Sequence, residues 1–196
     1  MRSDHDSRTG WRGHLYMWNP DQSGAGYEGA AARDIHSMNP TDLPACLSAV
    51  VISDTHGKLS AAAITVLNRA DLIIHAGDMD TEDVLNRLLA IAPVVAVRGN
   101  MDRGKWASRL PLTEILQIGA KRIYLLHDLS GLNLTPSVAG IDVVIHGHTH
   151  QPMKETRDNV LIINPGSASH PRHGSAPSVM ILSFNGSAVT AECILI

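Results

Sequence analysis

Seven side chains of the kinds that bind metal ions stand just after short apolar segments of this chain. They are two aspartates, one asparagine and four histidines: Asp54, His56, Asp78, Asn100, His127, His148 and His150. No cysteine is among them, and nitrogen and oxygen ligands of this kind suit several transition metals. A single zinc ion takes about three or four protein ligands. A set of seven therefore indicates two ions that share one carboxylate.

The chemistry open to two such ions is displacement at phosphorus. Two divalent metals about 3.5–4 Å apart can clamp a phosphoryl group and ionise a bridging water. Glycines adjoin four of the ligand motifs, at Gly57, Gly77, Gly99 and Gly147. Glycine at a strand end permits a sharp turn and a close approach of the backbone. The glycine pattern therefore favours loops that crowd around one centre.

The segments that precede the first ligands alternate between strand and helix patterns. Residues 47–52, 71–75 and 94–97 are short apolar runs typical of buried strands. Residues 59–69, and a second segment that Thr81 can cap, carry apolar residues on one helical face. The order βαβαβ predicts a parallel sheet with right-handed crossovers. Because ligands in open α/β sheets gather at the carboxyl ends of strands, one edge could collect the whole set.

The second half of the chain has strand patterns and little helical periodicity. Six further strands are predicted, at residues 112–118, 122–126, 143–146, 160–163, 179–183 and 189–194. These strands predict a second sheet, mixed or antiparallel, packed on the first. His127 and the pair His148 and His150 follow two of these strands.

The ordered motifs resemble those of the calcineurin-like metallophosphoesterases. The series is Asp54-x-His56, Gly77-Asp78, Gly99-Asn100, His127 and Gly147-His148-x-His150. The turn Asn164-Pro165-Gly166-Ser167 and the short chain resemble the small bacterial and archaeal phosphodiesterase branch. The resemblance spans about residues 50–184. It implies an α/β fold, a four-layer α/β/β/α sandwich of two mixed sheets flanked by helices.

The resemblance also implies a role for each ligand. Asp54, His56 and His150 would bind a first metal ion, Asn100, His127 and His148 a second, and Asp78 would bridge both. Manganese is the expected metal, with iron, zinc, nickel and cobalt as alternatives. The implied enzyme is a metal-dependent phosphodiesterase that uses a hydroxide held between the two ions to hydrolyse small or nucleotide-like diesters.

Three positions near the motifs bear on the choice of substrate. Larger phosphatase branches have a proton-donating histidine where this chain has Met101, so we expect a preference for leaving groups of low pKa or a substitute acid. Asp102 is one candidate acid; the alternative is a carboxylate that caps a helix or orients Asn100. Asp128 stands where the family often has glycine, and would orient His127 or repel an anionic substrate.

Other histidines and cations have simpler interpretations. His75 and His146 end strands and are expected to pack in the interior rather than bind metal. His170, Arg172 and His173 follow Ser167, where they could touch a phosphate or form a solvated loop.

Two alternative functions remain open. A phosphomonoesterase or protein phosphatase is disfavoured by Met101 and by a chain too short for a docking surface. A non-catalytic scaffold, like the retromer subunit that has this fold, is free to lose ligands, whereas this chain keeps all seven.

Composition narrows the class of protein. The chain has 196 residues, 44% of them hydrophobic, so we expect one domain with a full core. Its net charge of −3 argues against a basic face that binds nucleic acid. The two cysteines form no disulfide framework. No apolar run reaches the roughly 18 residues of a membrane span, and no secretory signal is expected. We therefore expect a cytoplasmic protein whose partner is a small phosphodiester, with a homo-oligomer left open.

The N-terminal segment differs from the rest. Residues 1–45 lack a sustained helix or strand period and are expected to form a disordered extension before a metallophosphoesterase domain at 46–196. One alternative is a misassigned start, with Met38 as the true beginning. Another is a segment that packs on a partner through its aromatic residues, Trp11, Tyr16, Trp18 and Tyr27.

Overall fold

Two five-stranded sheets pack face to face in this computed structural model, which describes residues 46–196. The strands are β1 (Cys46–Ile52), β2 (Leu72–His75), β3 (Val94–Ala96), β4 (Thr113–Ile118), β5 (Lys121–Leu126), β6 (Val143–Ile145), β7 (Pro152–Arg157), β8 (Val160–Pro165), β9 (Ser178–Asn185) and β10 (Ala188–Leu195). The α-helices are α1 (Ala61–Leu67) and α2 (Glu82–Leu89). The extension expected at residues 1–45 lies outside the described residues.

The first sheet has the strand order β10-β9-β1-β2-β3. Strands β1, β2 and β3 run parallel, with α1 and α2 as the crossovers, so the predicted βαβαβ unit is confirmed. The sequence interpretation grouped β9 and β10 with the second sheet, but they extend the first sheet as antiparallel strands. In β9, Val179 and Met180 are both buried although they face opposite sides, which fits an interior strand of a sheet.

The second sheet has the strand order β4-β5-β6-β8-β7. Strands β5, β6 and β8 run parallel, while β4 and β7 pair antiparallel at the two edges. Strand β7 was not predicted. Its residues include Lys154, Glu155 and Arg157, so it has no apolar run, and charged side chains are common on edge strands.

Three apolar clusters define the layers. The first lies between the sheets and includes Val51 and Ile74 from one sheet and Leu125 and Ile145 from the other. The second joins α1 and α2 to the outer face of the first sheet. The third covers the outer face of the second sheet with a 3-10 turn, Leu129–Gly131, and the loop after it. The α/β sandwich of two mixed sheets is confirmed, and in the described region its fourth layer is this turn and loop.

The two α-helices are short amphipathic segments. Ser60 caps α1, where its Oγ accepts a hydrogen bond of 3.0 Å from the Ala63 N–H. In α2 the buried side chains are Val84, Leu85 and Leu88. Neither described helix has both the length and the hydropathy that a membrane span requires.

Candidate metal centre

Asp54, His56 and His150 form one group of side chains at the strand ends. The Nε2 atom of His150 lies 3.2 Å from Oδ1 of Asp54 and 3.3 Å from Nε2 of His56. The two imidazole rings stack with their centroids 5.0 Å apart. These are the three residues that the family resemblance assigned to the first metal ion, and the fold brings them together.

A second group is built around Asn100. Its Oδ1 atom lies 3.0 Å from Nε2 of His127 and 3.1 Å from Nδ1 of His148. The Oδ2 atom of Asp78 lies 3.3 Å from the same nitrogen of His127. The residues assigned to the second ion are therefore also adjacent.

The two groups share a carboxylate. Ligand atoms of Asp54, Asp78 and His127 all lie within 4.8 Å of one another, as do those of Asp54, His56 and His150. Asp54 thus adjoins His56 and His150 of the first group and Asp78 and His127 of the second, whereas the resemblance gave the bridging role to Asp78. All seven residues named from the sequence meet at this one place, and their roles as ligands remain predictions.

The donor set fits divalent cations. Oδ1 of Asp54 is buried and has no hydrogen-bond partner among the described residues. Desolvation by burial raises the pKa of the Asp54 carboxyl above its usual value. A buried carboxylate oxygen without a partner is costly unless a cation or donor meets it. Nε2 of His150 lies 3.2 Å from that oxygen, and His56 belongs to the same group, so a metal ion of borderline softness would satisfy all three side chains.

The second carboxylate has a different environment. Burial pushes the pKa of Asp78 upward, but the contact with His127 and a hydrogen bond from the Met101 N–H outweigh it, and the pKa lies below its usual value. The Met101 bond to Oδ1 is 2.8 Å long. Asp78 is therefore held as an anion with Oδ2 directed to the shared region.

Three of the four histidines, His56, His127 and His150, present one nitrogen to the centre and are held at the other. Nδ1 of His127 donates to the Ala76 carbonyl at 2.7 Å, and Nδ1 of His150 donates to the His170 carbonyl. Nδ1 of His56 lies 3.0 Å from Oδ2 of Asp80. A histidine that donates through one nitrogen offers the lone pair of the other to a metal ion.

The ligand loops have unusual backbone conformations. Six of the nine non-glycine residues with positive φ in residues 46–196 belong to the site. They are Asp54 (52°), His56 (43°), Asp78 (59°), Asp80 (66°), His148 (69°) and His150 (60°). Such conformations cost on the order of 1–3 kcal/mol each and cluster at functional sites.

Asp102 holds two of these loops together. Its Oδ2 accepts from the N–H groups of Gly99 at 2.7 Å and Asp78 at 3.0 Å, and its Oδ1 accepts from Asp80 at 2.8 Å. The side chain is buried. Both oxygens are occupied as acceptors, so the structure favours the positioning role over that of a substitute acid.

The turn at Asn164–Ser167 and the adjoining Ser169 hydrogen-bond to two of the ligand loops. Asn164 Nδ2 donates to the Gly147 carbonyl at 2.7 Å. Ser167 Oγ donates to the Asp54 carbonyl at 2.7 Å, and Ser169 Oγ donates to the Thr55 carbonyl at 2.6 Å. The hydrogen bonds made by these two hydroxyls were not predicted from the sequence, because they join segments more than 100 residues apart.

Two glycines permit the close approach of the loops. A Cβ atom at Gly99 would lie 2.0 Å from Oδ1 of Asp78. A Cβ atom at Gly147 would lie 2.0 Å from Oγ of Ser53 and 2.8 Å from Oδ2 of Asp54. The close-approach role predicted for glycines at the ligand motifs is confirmed at these two positions.

Residues beside the ligands divide into interior and surface groups. His75 and His146 are buried, as expected, and belong to neither ligand group. His170 is exposed and its ring meets that of His56 edge-on, with the centroids 5.3 Å apart. Asp128 lies beside His148, with Oδ2 at 3.8 Å from Nε2, rather than in a hydrogen bond with His127.

Comparison with known proteins identifies the family. Residues 47–187 match the sequence model of the calcineurin-like phosphoesterase superfamily domain. The chain belongs to the calcineurin-like phosphoesterase superfamily.

Two curated relatives have phosphoesterase names. A probable metallophosphoesterase of Methanothermobacter thermautotrophicus is 36% identical over 156 residues, which cover 74% of this chain and 90% of that protein. The phosphodiesterase YfcE of Escherichia coli K12 is 35% identical over 115 residues, which cover 55% of this chain and 62% of that protein.

Solved structures share the fold. One described as a novel archaeal phosphodiesterase has a TM-score of 0.64 and 26% identity, and the match covers 76% of this chain and 100% of that chain. Vps29 of Entamoeba histolytica in complex with zinc has a TM-score of 0.62 and 24% identity, over 76% of this chain and 99% of that one. The likeness to Vps29 shows the fold alone.

The family supports a hydrolase of phosphoric esters that uses divalent metal ions. The two adjoining ligand groups are candidate positions for those ions.

Proposed function

We propose that this protein is a metal-dependent phosphodiesterase that hydrolyses small or nucleotide-like phosphodiesters at the paired ligand groups. The observation that carries this proposal is the pair of adjoining groups that share Asp54. A single group would suit one ion, but two adjoining groups suit the two-ion clamp used for displacement at phosphorus.

The proposed ligands of the first ion are Asp54, His56 and His150, and those of the second are Asn100, His127 and His148. Asp78 is the proposed bridging carboxylate. Asp54, whose ligand atom lies within 4.8 Å of those of His56 and His150 and also of those of Asp78 and His127, is proposed as a second shared ligand. Two bound divalent ions supply Lewis-acid stabilisation of the phosphoryl oxygens and an ionised water as nucleophile. Manganese is the proposed native metal, with iron, zinc, nickel and cobalt as alternatives.

The position after Asn100 supports a preference for good leaving groups. The Met101 side chain is 42% exposed, and a thioether has no proton to donate to a departing oxygen. General acid catalysis typically contributes about 10²–10⁴-fold. An enzyme without it hydrolyses esters whose leaving group departs as a stable anion.

Asp128 supports a diester over a monoester. Its side chain is 45% exposed, and its Oδ2 atom lies 3.8 Å from Nε2 of His148. A hydrogen bond from the Ser130 N–H lowers the pKa of the Asp128 carboxyl below the usual value. It is therefore an anion at neutral pH. A dianionic monoester that approaches His148 meets more repulsion from this charge than a monoanionic diester does.

The test is an assay with Mn²⁺ on a bis-aryl phosphate and on the matched mono-aryl phosphate, with metal analysis of the purified protein. We expect two ions per chain, turnover of the diester, slower turnover of the monoester, and loss of activity in Asp78→Asn and His148→Ala. Faster turnover of the monoester would favour a phosphatase. No turnover with Mn, Fe, Zn, Ni or Co would favour a scaffold.

The cellular setting is part of the proposal. We propose a cytoplasmic protein that binds neither nucleic acid nor membrane stably, in keeping with its net charge of −3. Binding of the protein to DNA at low salt in a mobility-shift assay would contradict this.

A further inference from the structure

Asp80 is an acidic residue at the site that the sequence motifs did not single out. It lies two residues after Asp78, in the loop that follows β2. Its Oδ2 atom is 3.0 Å from Nδ1 of His56. It belongs to neither group of candidate ligands. Its carboxylate therefore contacts a proposed ligand at Nδ1, the nitrogen of His56 that faces away from His150.

This contact selects one tautomer of His56. An ionised carboxylate only accepts hydrogen bonds, so the proton of the neutral imidazole lies on Nδ1. The lone pair of Nε2 then points towards Nε2 of His150, which is 3.3 Å away. His150 donates through its own Nδ1 to the His170 carbonyl, so it too offers Nε2. Both imidazoles are therefore arranged to bind the same ion.

Asp80 is itself held in place by the backbone. Its φ angle is +66°, a left-handed conformation that aspartate tolerates better than most residues. Its N–H donates to Oδ1 of Asp102 at 2.8 Å. The His56 N–H donates to the Asp78 carbonyl at 3.1 Å, which joins the two loops directly. The carboxylate of Asp80 thus has a defined position relative to His56.

In the other three histidines, the ring nitrogen that faces away from the ligand groups has a different neighbour. His127 and His150 are held by backbone carbonyls, which no side-chain substitution removes. Asp128 lies 3.8 Å from Nε2 of His148, beyond hydrogen-bond distance. His56 thus has a carboxylate, that of Asp80, as the hydrogen-bond partner of this nitrogen, whereas His127 and His150 have neutral carbonyl groups. A charged acceptor increases the basicity of the histidine that donates to it.

We propose that Asp80 is a positioning residue for the first metal ion, which acts by fixing the tautomer and orientation of His56. Asp80 belongs to neither group of candidate ligand atoms, so it acts through His56 rather than as a ligand. The proposal rests on the ligand role of His56 in the proposed function. It predicts that Asp80 controls the affinity of the first ion and leaves that of the second unchanged.

The test is calorimetric titration of the metal-free full chain with Mn²⁺. We compare the wild type with Asp80→Asn and Asp80→Gly, because asparagine and glycine both tolerate a positive φ and keep the loop foldable. Loss of such a partner typically weakens metal binding about 10–100-fold. We expect Asp80→Gly to weaken one of the two binding events by about that factor, and Asp80→Asn to weaken it less, since the amide oxygen still accepts from Nδ1.

A double-mutant cycle separates positioning from a general structural effect. If Asp80 acts through His56, then Asp80→Asn lowers Mn²⁺ affinity in the wild type but not in a His56→Ala background. An equal loss in both backgrounds would overturn the proposal, and so would two unchanged binding events in Asp80→Gly. Asp128→Asn is the matched control, because its carboxylate adjoins His148 without a hydrogen bond, and it should leave the first binding event unchanged.

The titration also separates this proposal from the proposed function. A wild-type chain that binds two Mn²⁺ ions but hydrolyses no diester would overturn the phosphodiesterase assignment, while the affinity series would still decide the role of Asp80. A chain that hydrolyses diesters but retains full affinity in Asp80→Gly would overturn the role of Asp80 alone.

Discussion

At the scale of single residues, burial beside the site decides which side chains carry protons. His75, which is not a proposed ligand, shows this effect. It is fully buried, its Nδ1 accepts from the Gly77 N–H at 3.1 Å, and its Nε2 lies 3.1 Å from Oγ1 of Thr55. A proton on Nδ1 would face another N–H. Desolvation by burial, followed by the charge of His127, lowers the pKa of His75 from 6.5 to about 3.

His75 should therefore make stability depend on pH in acid. The unfolded chain binds a proton at His75 below about pH 6.5, whereas the folded chain does not until about pH 3. The contribution of neutral His75 is thus complete above pH 6.5 and is lost as the pH falls. One proton gives a slope of about 1.4 kcal/mol per pH unit. We expect urea unfolding of metal-free protein to show a shallower slope between pH 6 and pH 5 in His75→Asn than in the wild type; equal slopes would contradict the assignment.

Met101 allows a test of leaving-group specificity. In Met101→His, an imidazole next to Asn100 can protonate the departing oxygen. We expect kcat/KM to rise on diesters with poor leaving groups, by up to about 10²-fold, and to change little on nitrophenyl esters. The measurement is the dependence of kcat/KM on leaving-group pKa, which should become flatter. Met101→Leu is the control. An unchanged dependence in Met101→His would contradict the proposal that the enzyme lacks a general acid at this position.

At the scale of elements, the site is made by strand ends that touch. The loop after β6 meets the loop after β1 where Gly147 adjoins Ser53, and the His148 N–H donates to Oδ2 of Asp54 at 3.1 Å. Because β1 and β6 belong to different sheets, this contact joins the two halves of the centre.

Gly147→Ala should separate these loops. The added Cβ would lie 2.0 Å from Oγ of Ser53. Overpacking of this kind costs about 1–3 kcal/mol of unfolding free energy. We expect that loss in urea unfolding, together with weaker Mn²⁺ binding. Gly131→Ala is the matched control, because a Cβ there meets no atom within 4 Å. Similar Mn²⁺ affinity in the two variants would show that the contact is dispensable.

At the scale of the whole molecule, the centre spans both sheets. Asp54, Asp78 and Asn100 follow strands of the first sheet, and His127 and His148 follow strands of the second. Strand β1 is central in the first sheet and β6 is central in the second. Ions bound at this junction would link the two sheets, so metal binding should stabilise the entire fold.

Metal removal should therefore lower global stability. A ligand present at 100 times its Kd adds about 2.7 kcal/mol per site to the unfolding free energy. We expect Mn²⁺ to raise the urea midpoint and a chelator to lower it, with a smaller effect of Mn²⁺ in Asp78→Asn. An unchanged midpoint with and without Mn²⁺ would mean that the folded chain binds no ion at this junction.

Much of the fold could be predicted because local pattern and burial agree. The apolar runs of β1, β2 and β3, alternating with α1 and α2, indicated a parallel unit that the structure contains. Strand β7 was missed because Lys154, Glu155 and Arg157 interrupt any apolar pattern. The sheet to which β9 and β10 belong is decided by long-range pairing with β1, which no local pattern specifies.

The sequence by itself determined which groups are available for chemistry and their order along the chain. The seven candidate ligands were named from their types and their positions after strands, and the fold brings all seven together. Only the tertiary structure decided how they are held. Asp80, Asp102 and Ser167 act across 24, 24 and 113 residues of chain, so their roles depend on distances that strand packing creates. The same packing places Asp54 in both ligand groups, because two sheets meet where its strand ends.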